Sequence, residues 1–212
     1  MKEILKLTLS VTLVCALAGA ALAWVSRTTA ARIARNAEAQ RTAQMRLVLP
    51  PETASTIEDV NSAAGDVVLF EARDADGRPI AYCAIGKTND GFGGPVTVMA
   101  GLTMDGRISA LLVSEHSETP GIGSRVCNRA VTESLWRKLF GGAAPADAGL
   151  PPNAYLDSFA GRPLPPDGFA FGASEASRSV TAVSGATFSS TAVLHAVNNI
   201  CAAWNARRRP SN

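Results

Sequence analysis

The chain opens on an uncharged apolar run, Leu7–Val25, LTLSVTLVCALAGAALAWV. Its 19 residues are enough to cross the hydrocarbon core of a bilayer as a helix. Lys2 and Lys6 precede it, and Trp24 stands at its far end, where interfacial aromatics collect. Residues 1–26 therefore read as an N-terminal membrane anchor, a single transmembrane helix. Ala21-Leu22-Ala23 is also a fair A-x-A cleavage site, so a cleaved signal peptide is the competing reading. Either reading sends the rest of the chain across the membrane. Arg27, Arg32 and Arg35 follow the run, so basic flanks give no clean orientation. Thr12 lies three positions before Cys15, where a lipoprotein signal wants an apolar residue.

Beyond the anchor the pattern changes. Residues 26–49 are rich in Ala, Arg, Gln and Glu, all good helix formers, and Pro50-Pro51 stop them. A weak apolar face (Ala30, Ile33, Ala37, Leu47) is interrupted by Gln40 and Gln44, which predicts a solvated helical stalk over 27–50. Strands come next. Val67–Phe70 is a short apolar run, Asp74–Gly77 a turn, and Pro79–Ile85 the returning strand. Val96, Val98, Ala100, Leu102 and Met104 alternate with Thr97 and Thr103, the period of a half-buried strand. Asp105-Gly106 is a hairpin turn, and Arg107–Ser114 the partner strand with Ile108, Ala110 and Leu112 on one face. The result is an antiparallel meander. A helix is predicted over Thr132–Phe140, a long Gly/Ala/Pro-rich loop over 141–168, and a short strand over Val180–Val183. The last helix runs over Phe188–Arg209, with Val193, Val197, Ile200 and Trp204 as its buried stripe. Arg207, Arg208 and Arg209 suit a helix C-terminus. Strands followed by helices predict an α+β domain over 51–212, an antiparallel sheet with packed helices.

Composition narrows the function. Lys and Arg total 20 against 18 for Asp and Glu, a net charge of +2, which argues against a nucleic-acid partner. Cys15, Cys83, Cys127 and Cys201 form no CxxC or CxxCH, which excludes zinc-ribbon, thioredoxin-type and c-type haem motifs. Outside the cytoplasm, the three cysteines beyond the anchor allow one disulfide of unassigned pairing. Cys83 and Cys127 read as small buried residues.

Three segments could carry chemistry. In Ser184-Gly185-Ala186-Thr187-Phe188-Ser189-Ser190 a short strand ends, small residues turn, and a helix begins. Gly185 and Ala186 let another molecule approach the backbone. Thr187 falls at the helix N-terminus, where free N–H groups and the dipole favour a phosphate, and Ser189 and Ser190 add hydroxyls. Plain helix capping by Ser184 or Thr187 explains the same residues. In Glu118-Thr119-Pro120-Gly121-Ile122-Gly123, Pro-Gly sets a type II turn beside His116, either a ligand loop or only a turn. In Gly91-Phe92-Gly93-Gly94-Pro95, Phe92 could pack on a flat ring, but neither GxGxxG nor GxxxxGK[ST] is present. His116 could bond a ligand or orient the turn. His195 lies on the side of the last helix away from Val193 and Val197 and reads as a surface or boundary residue. No Asp is obviously placed to orient either histidine.

In this order behind one membrane segment, the SGAT and ETPGIG stretches resemble the FMN-binding domain family. The likeness covers most of the chain. It is to the G subunit of the Rnf-type ion-translocating electron-transport complex, and also to the C subunit of the sodium-pumping NADH:quinone reductase. The resemblance implies FMN joined covalently through its phosphate to the hydroxyl of Thr187 by a magnesium-dependent flavin transferase using FAD. It implies that Ser184, Gly185, Ala186, Ser189 and Ser190 surround the phosphate. Glu118, Thr119, Pro120 and Gly121 would lie against the ring or ribityl chain, with Phe92 as a further ring wall. It implies an electron-transfer subunit of an ion-translocating oxidoreductase, partnered by other membrane and redox subunits. Its place would be the inner membrane, with the soluble domain on the extracytoplasmic side. The short stretch between anchor and sheet favours the Rnf type. One departure stands out: the family usually carries an acidic residue six positions before the modified threonine, and here that residue is Thr181. Two other functions compete. A hydrolase using Ser184 or Ser189 with a histidine lacks the GxSxG elbow, and a flavin-free anchored binding module would use the same fold.

Overall fold

The computed structural model describes residues 2–50, 56–59, 66–129, 150–172 and 178–208. The chain forms two compact units, residues 1–43 and 44–212.

The first unit is helical over its described residues. Helix α1 runs unbroken over Lys2–Val48, so predicted anchor and stalk are one helix. Side chains over 7–25 are all exposed, and the helix is long and apolar enough to cross a membrane by length and composition.

The second unit is built on a five-stranded antiparallel sheet in plain sequence order. Its strands are β1 (Thr56–Asp59), β2 (Val67–Arg73), β3 (Pro79–Thr88), β4 (Val96–Thr103) and β5 (Ile108–Glu115). The sequence predicts four of the five; β1, paired antiparallel with β2, carries no period-2 apolar signal. The C-terminal helix α4 (Thr187–Arg208) covers one face. Val193, Val197, Ile200 and Trp204 are buried there with Leu69, Ala84, Val98 and Leu102. Each such Val, Leu or Ile side chain contributes about 1.5–3 kcal/mol. Gly86 permits this contact, since a Cβ there would lie 2.6 Å from the carbonyl of Ala196.

The opposite face is also buried, which corrects the half-buried reading of β4. Met45, Val48 and Leu49, at the end of the predicted stalk, pack with Phe70, Cys83, Ile85 and Met99. Leu47, read as part of the apolar face, is exposed instead. A second correction concerns β5. Ile108 does not share a face with Ala110 and Leu112; it packs with Leu111 and Val113 towards α4. Pairing passes from Gly101–Ala110 to Leu102–Ile108, so Ser109 is an extra residue that inverts the alternation. The Ser109 hydroxyl donates to the Val48 carbonyl at 2.7 Å, satisfying a carbonyl that the end of α1 leaves open.

The expected loop over 141–168 is partly structured where described. Among the described residues after β5 are two single-turn helices, α2 (Ser124–Cys127) and α3 (Ala154–Asp157). Asn153 caps α3, accepting from the Tyr155 and Leu156 amides at 3.0 Å, and its Nδ2 donates to the Asn128 carbonyl at 2.9 Å. Tyr155, Leu156 and Phe159 enter the core. The Gly161 amide and Arg162 carbonyl pair with Ile108, closing the β5 edge. The strand expected over 180–183 is shorter: β7 (Ser179–Val180) pairs in parallel with β6 (Ala170–Phe171). The predicted helix over Thr132–Phe140, residues 141–149 and Arg209 lie outside the described residues.

Candidate functional site

Three loops converge at the start of α4. The turn from Val183 into the helix bends at Gly185, whose φ of 80° suits glycine. The Ala186 amide donates to the Val183 carbonyl at 3.0 Å, and the Ala186 carbonyl accepts the first bond of the helix from the Ser190 amide at 2.9 Å. Ala186 is therefore the N-cap residue, and it has no side-chain oxygen to bond the first turn. The capping expected of Ser184 or Thr187 does not occur. Among the described residues nothing accepts from the Thr187, Phe188 or Ser189 amides. Thr187 itself is exposed.

The two serines that follow point inward. Ser190 Oγ accepts from the Val183 amide at 3.1 Å, and the Ser190 carbonyl accepts from the Tyr155 hydroxyl at 2.7 Å. Ser189 Oγ donates to Glu118 Oε2 at 2.5 Å. Both hydroxyls serve the fold rather than the open cleft.

Glu118 is the hub of the site, 5% exposed. Besides Ser189, its Oε1 accepts from the Gly93 amide at 3.4 Å. Its own amide donates to His116 Nδ1 at 3.2 Å, and His116 Nε2 meets Asn128 Oδ1 at 2.7 Å. An acceptor Nδ1 places the ring proton on Nε2, so His116 orients the turn. The turn has the expected type II form. The Ile122 amide donates to the Thr119 carbonyl at 3.3 Å, with Gly121 at φ 81° in the third position. The Gly123 backbone passes so close to Glu118 and Ser189 that a Cβ there would lie 2.6 Å from Ser189 Oγ. Gly93 runs against the Ser117 carbonyl, where any side chain would overlap.

These contacts enclose a cleft of about 200 Å³ lined by residues of all three segments. Glu118, Thr119, Gly185, Ala186, Thr187 and Ser189 reach it, as the sequence expects. Ser184, Ser190, Pro120 and Gly121 do not line it. Phe92 does, and so do Phe188, Ile122 and Gly123, which the sequence marks only as members of their segments and not as individual contacts. Phe92 and Phe188 are each 72% exposed, and Ile122 is 54% exposed. The two aromatic rings stand 6.3 Å apart, tilted 46°. Phe188, next to Thr187 at the opening of an amphipathic helix, is not part of the stripe Val193, Val197, Ile200 and Trp204 that the sequence marks as buried. Its exposure is the signal, and only structure supplies it.

His195 is exposed, as expected, but it is not without an acid: its Nδ1 meets Asp90 Oδ2 at 2.7 Å. The expectation that no Asp orients a histidine is corrected. A Ser–His pair is not assembled, because Ser189 is bonded to Glu118 and the two histidines to Asn128 and Asp90. All four cysteines are free thiols. Burial pushes the Cys127 thiol up to about 12, with the Glu118 charge adding, and burial does the same for Cys201. Among the described residues no cluster of His, Cys, Asp and Glu could hold a metal ion.

The FMN-binding domain family matches residues 91–202, a span that runs from the glycine loop through most of α4. The G subunit of the ion-translocating oxidoreductase complex of Stutzerimonas stutzeri is 32% identical over 74% of this chain and 72% of its own length. The protein of the same name from Methanosarcina acetivorans is 26% identical over 93% of each chain. The G subunit of the Na(+)-translocating ferredoxin:NAD(+) oxidoreductase complex of Acetobacterium woodii is 25% identical over 66% of this chain and 70% of its own. The crystal structure of NqrC from Shewanella oneidensis covers 76% of this chain and 72% of its own, at 21% identity and a TM-score of 0.45. The chain belongs to the FMN-binding domain family, alongside the G subunits of ion-translocating oxidoreductase complexes.

Proposed function

We propose that this chain is a membrane-anchored electron-transfer subunit of an Rnf-type ion-translocating complex and carries FMN as a phosphoester on Thr187 Oγ. The observation that carries the proposal is the bare start of α4. The exposed Thr187 hydroxyl sits beside three amides that have no acceptor among the described residues, at the positive end of a helix of 22 residues. A phosphate joined there would gain those N–H groups and the helix dipole together. Attachment by a flavin transferase would form the bond from Thr187 Oγ to the FMN phosphorus. The phosphoanhydride of FAD breaks, AMP leaves, and the hydroxyl proton goes to solvent or base.

When bound, the flavin supplies the redox chemistry. The residues here supply the seat. Phe92, Phe188 and Ile122 offer apolar surface to a flat ring, and Glu118 fixes the loops around it. The cleft, about 200 Å³, is below the roughly 300–1,000 Å³ of pockets that engulf a ligand. A ring held across it keeps one face open to a redox partner, as an electron carrier requires. In this reading residues 1–26 anchor the chain in the inner membrane, 27–50 form a stalk whose end, Met45–Leu49, packs on the sheet, and 51–212 form the rest of the FMN-binding domain on the extracytoplasmic side. The name of the Acetobacterium woodii relative supports ferredoxin and NAD as the terminal couples of the complex, and other membrane and redox subunits as partners. Service as the C-type subunit of a sodium-pumping NADH:quinone reductase, or as a flavin-free module, would be recognised by the test below and by purification of the complex.

The test is the intact mass of the full chain co-expressed with a flavin transferase. One FMN less one water should be added, and Thr187→Ala should abolish it. A folded, unmodified chain without flavin fluorescence would sink the proposal, and Thr181→Asp would then be the first change to make.

A further inference from the structure

The glycine loop reaches the site along a seam with α4 that the flavin chemistry does not use. Thr187, Thr191, His195 and Asn199 recur every four residues and so share one stripe of the helix. Against this stripe lie the end of β3 and the glycine loop. Asn199 Nδ2 donates to the Lys87 carbonyl at 3.0 Å. His195 meets Asp90 Oδ2 at 2.7 Å. Phe188 faces Phe92 at 6.3 Å. The same Asp90 oxygen accepts from the Thr88 hydroxyl at 2.9 Å. The contacts therefore climb the helix towards Thr187 as the loop runs from 87 to 92. Beyond Phe92 the loop is held by Glu118 through the Gly93 amide. Between Thr187 and Ala206 the helix carries no Asp, Glu, Lys or Arg, so among the described residues the His195–Asp90 hydrogen bond is its side-chain grip on a carboxylate of the loop.

We propose that His195 is a positioning residue: through Asp90 it fixes the base of the glycine loop and so sets where Phe92 stands over the flavin ring. The inference rests on the flavin reading for its consequence, not for the seam itself. The direction of the Asp90 titration agrees, since its carboxyl is held below the ordinary range by the His195 hydrogen bond first and the Thr88 hydroxyl next.

The full chain tests this in two arms. Made without the transferase, His195→Ala should raise amide hydrogen exchange over residues 89–94 about fivefold, the loss of one modest hydrogen bond. His195→Gln, whose amide can still donate to Asp90, should restore it. Exchange unchanged in His195→Ala, or unrestored in His195→Gln, overturns the proposal whatever the flavin does. Made with the transferase, His195→Ala should keep the FMN mass but raise iodide quenching of flavin fluorescence and shift the flavin midpoint potential, with His195→Gln returning both. Unchanged quenching and potential in a fully flavinylated His195→Ala chain also overturn it. A wild-type chain that takes no flavin sinks the functional proposal instead, and leaves the exchange arm to decide the seam.

Discussion

The bond between Glu118 and Ser189 joins two segments 71 residues apart, and its removal gives the sharpest test of how the site is held. Both side chains are nearly sealed, at 5% and 3% exposure. At 2.5 Å the contact lies in the range of a hydroxyl bonded to a carboxylate, where such bonds contribute about 1.5–3 kcal/mol. Ser189→Ala also gains up to about 0.5 kcal/mol of helix propensity. The net expected cost is about 1–2.5 kcal/mol, because Glu118 keeps only the long 3.4 Å contact to Gly93. Glu118→Gln should cost less than about 1 kcal/mol: Gln can turn its oxygen to the Gly93 amide and its NH2 to Ser189 Oγ, keeping both partners bonded with Ser189 now the acceptor. Ser189→Ala made in that background should cost at least about 1 kcal/mol less than in the wild type, the coupling of a double-mutant cycle. Thermal unfolding of the full chain in detergent, followed by the buried Trp204, should show Ser189→Ala down by about 2–10 °C. Equal losses in both backgrounds, or a Ser189→Ala change within about 0.5 kcal/mol, would refute the assignment of Glu118 as hub.

Three further outcomes are expected. Gly101→Ala puts a methyl onto the Val48 carbonyl and Ser109 hydroxyl, both fixed in place, and should cost about 1–3 kcal/mol in denaturant unfolding; a neutral result would contradict the packing of the end of α1 on the sheet. Cys127 and Cys201 stay neutral in the folded chain up to about 12 against an ordinary 9.0. Their contribution is whole below pH 9 and is lost as pH rises towards 12, by up to about 1.4 kcal/mol per pH unit for each thiol. Urea midpoints from pH 8 to 11 should therefore fall, and fall less in Cys127→Ala; parallel curves would refute this. Ala186→Ser should supply the missing cap, stabilising the unflavinylated chain by about 0.5–1 kcal/mol while lowering flavin incorporation by competing for the same amides. A stabilised chain that loads flavin at the wild-type rate would argue against those amides as the phosphate seat.

Much of the fold was legible because it follows local rules. The hairpins at Asp74–Gly77 and Asp105-Gly106, the stripe of α4 and the Pro50-Pro51 stop all depend on a few adjacent residues. What was not legible depends on partners distant in sequence. The inverted faces of β5 come from one extra residue at Ser109, and period-2 reading cannot see an insertion that only the facing strand defines. The core residues Tyr155, Leu156 and Phe159 hide in a Pro- and Gly-rich stretch because Asn153 builds a cap from contacts to 126–128. At the site, the motif residues were legible as a set. Their division of labour was not, since Ser189 and Ser190 carry the same side chain as any phosphate-binding serine yet face Glu118 and Val183.

Ala186 shows why the reading from spacing leaned the wrong way at this helix. A run of small hydroxyl residues before a helix ordinarily supplies its cap, and the cap is worth about 1 kcal/mol. Here the chain puts alanine at the one position whose side chain could bond the first turn, and sends the neighbouring hydroxyls elsewhere: Ser190 back to Val183, Ser189 across to Glu118, Thr187 out to solvent. Serine at 186 would have been locally better, because three amides of the first turn have no acceptor among the described residues. Proteins break local rules of this kind chiefly where a ligand supplies the missing partner. The bare N-terminus, the exposed threonine on its first turn and the two exposed phenylalanines beside it are what the proposed reading accounts for together: an anion with an apolar ring attached, seated where α4 begins.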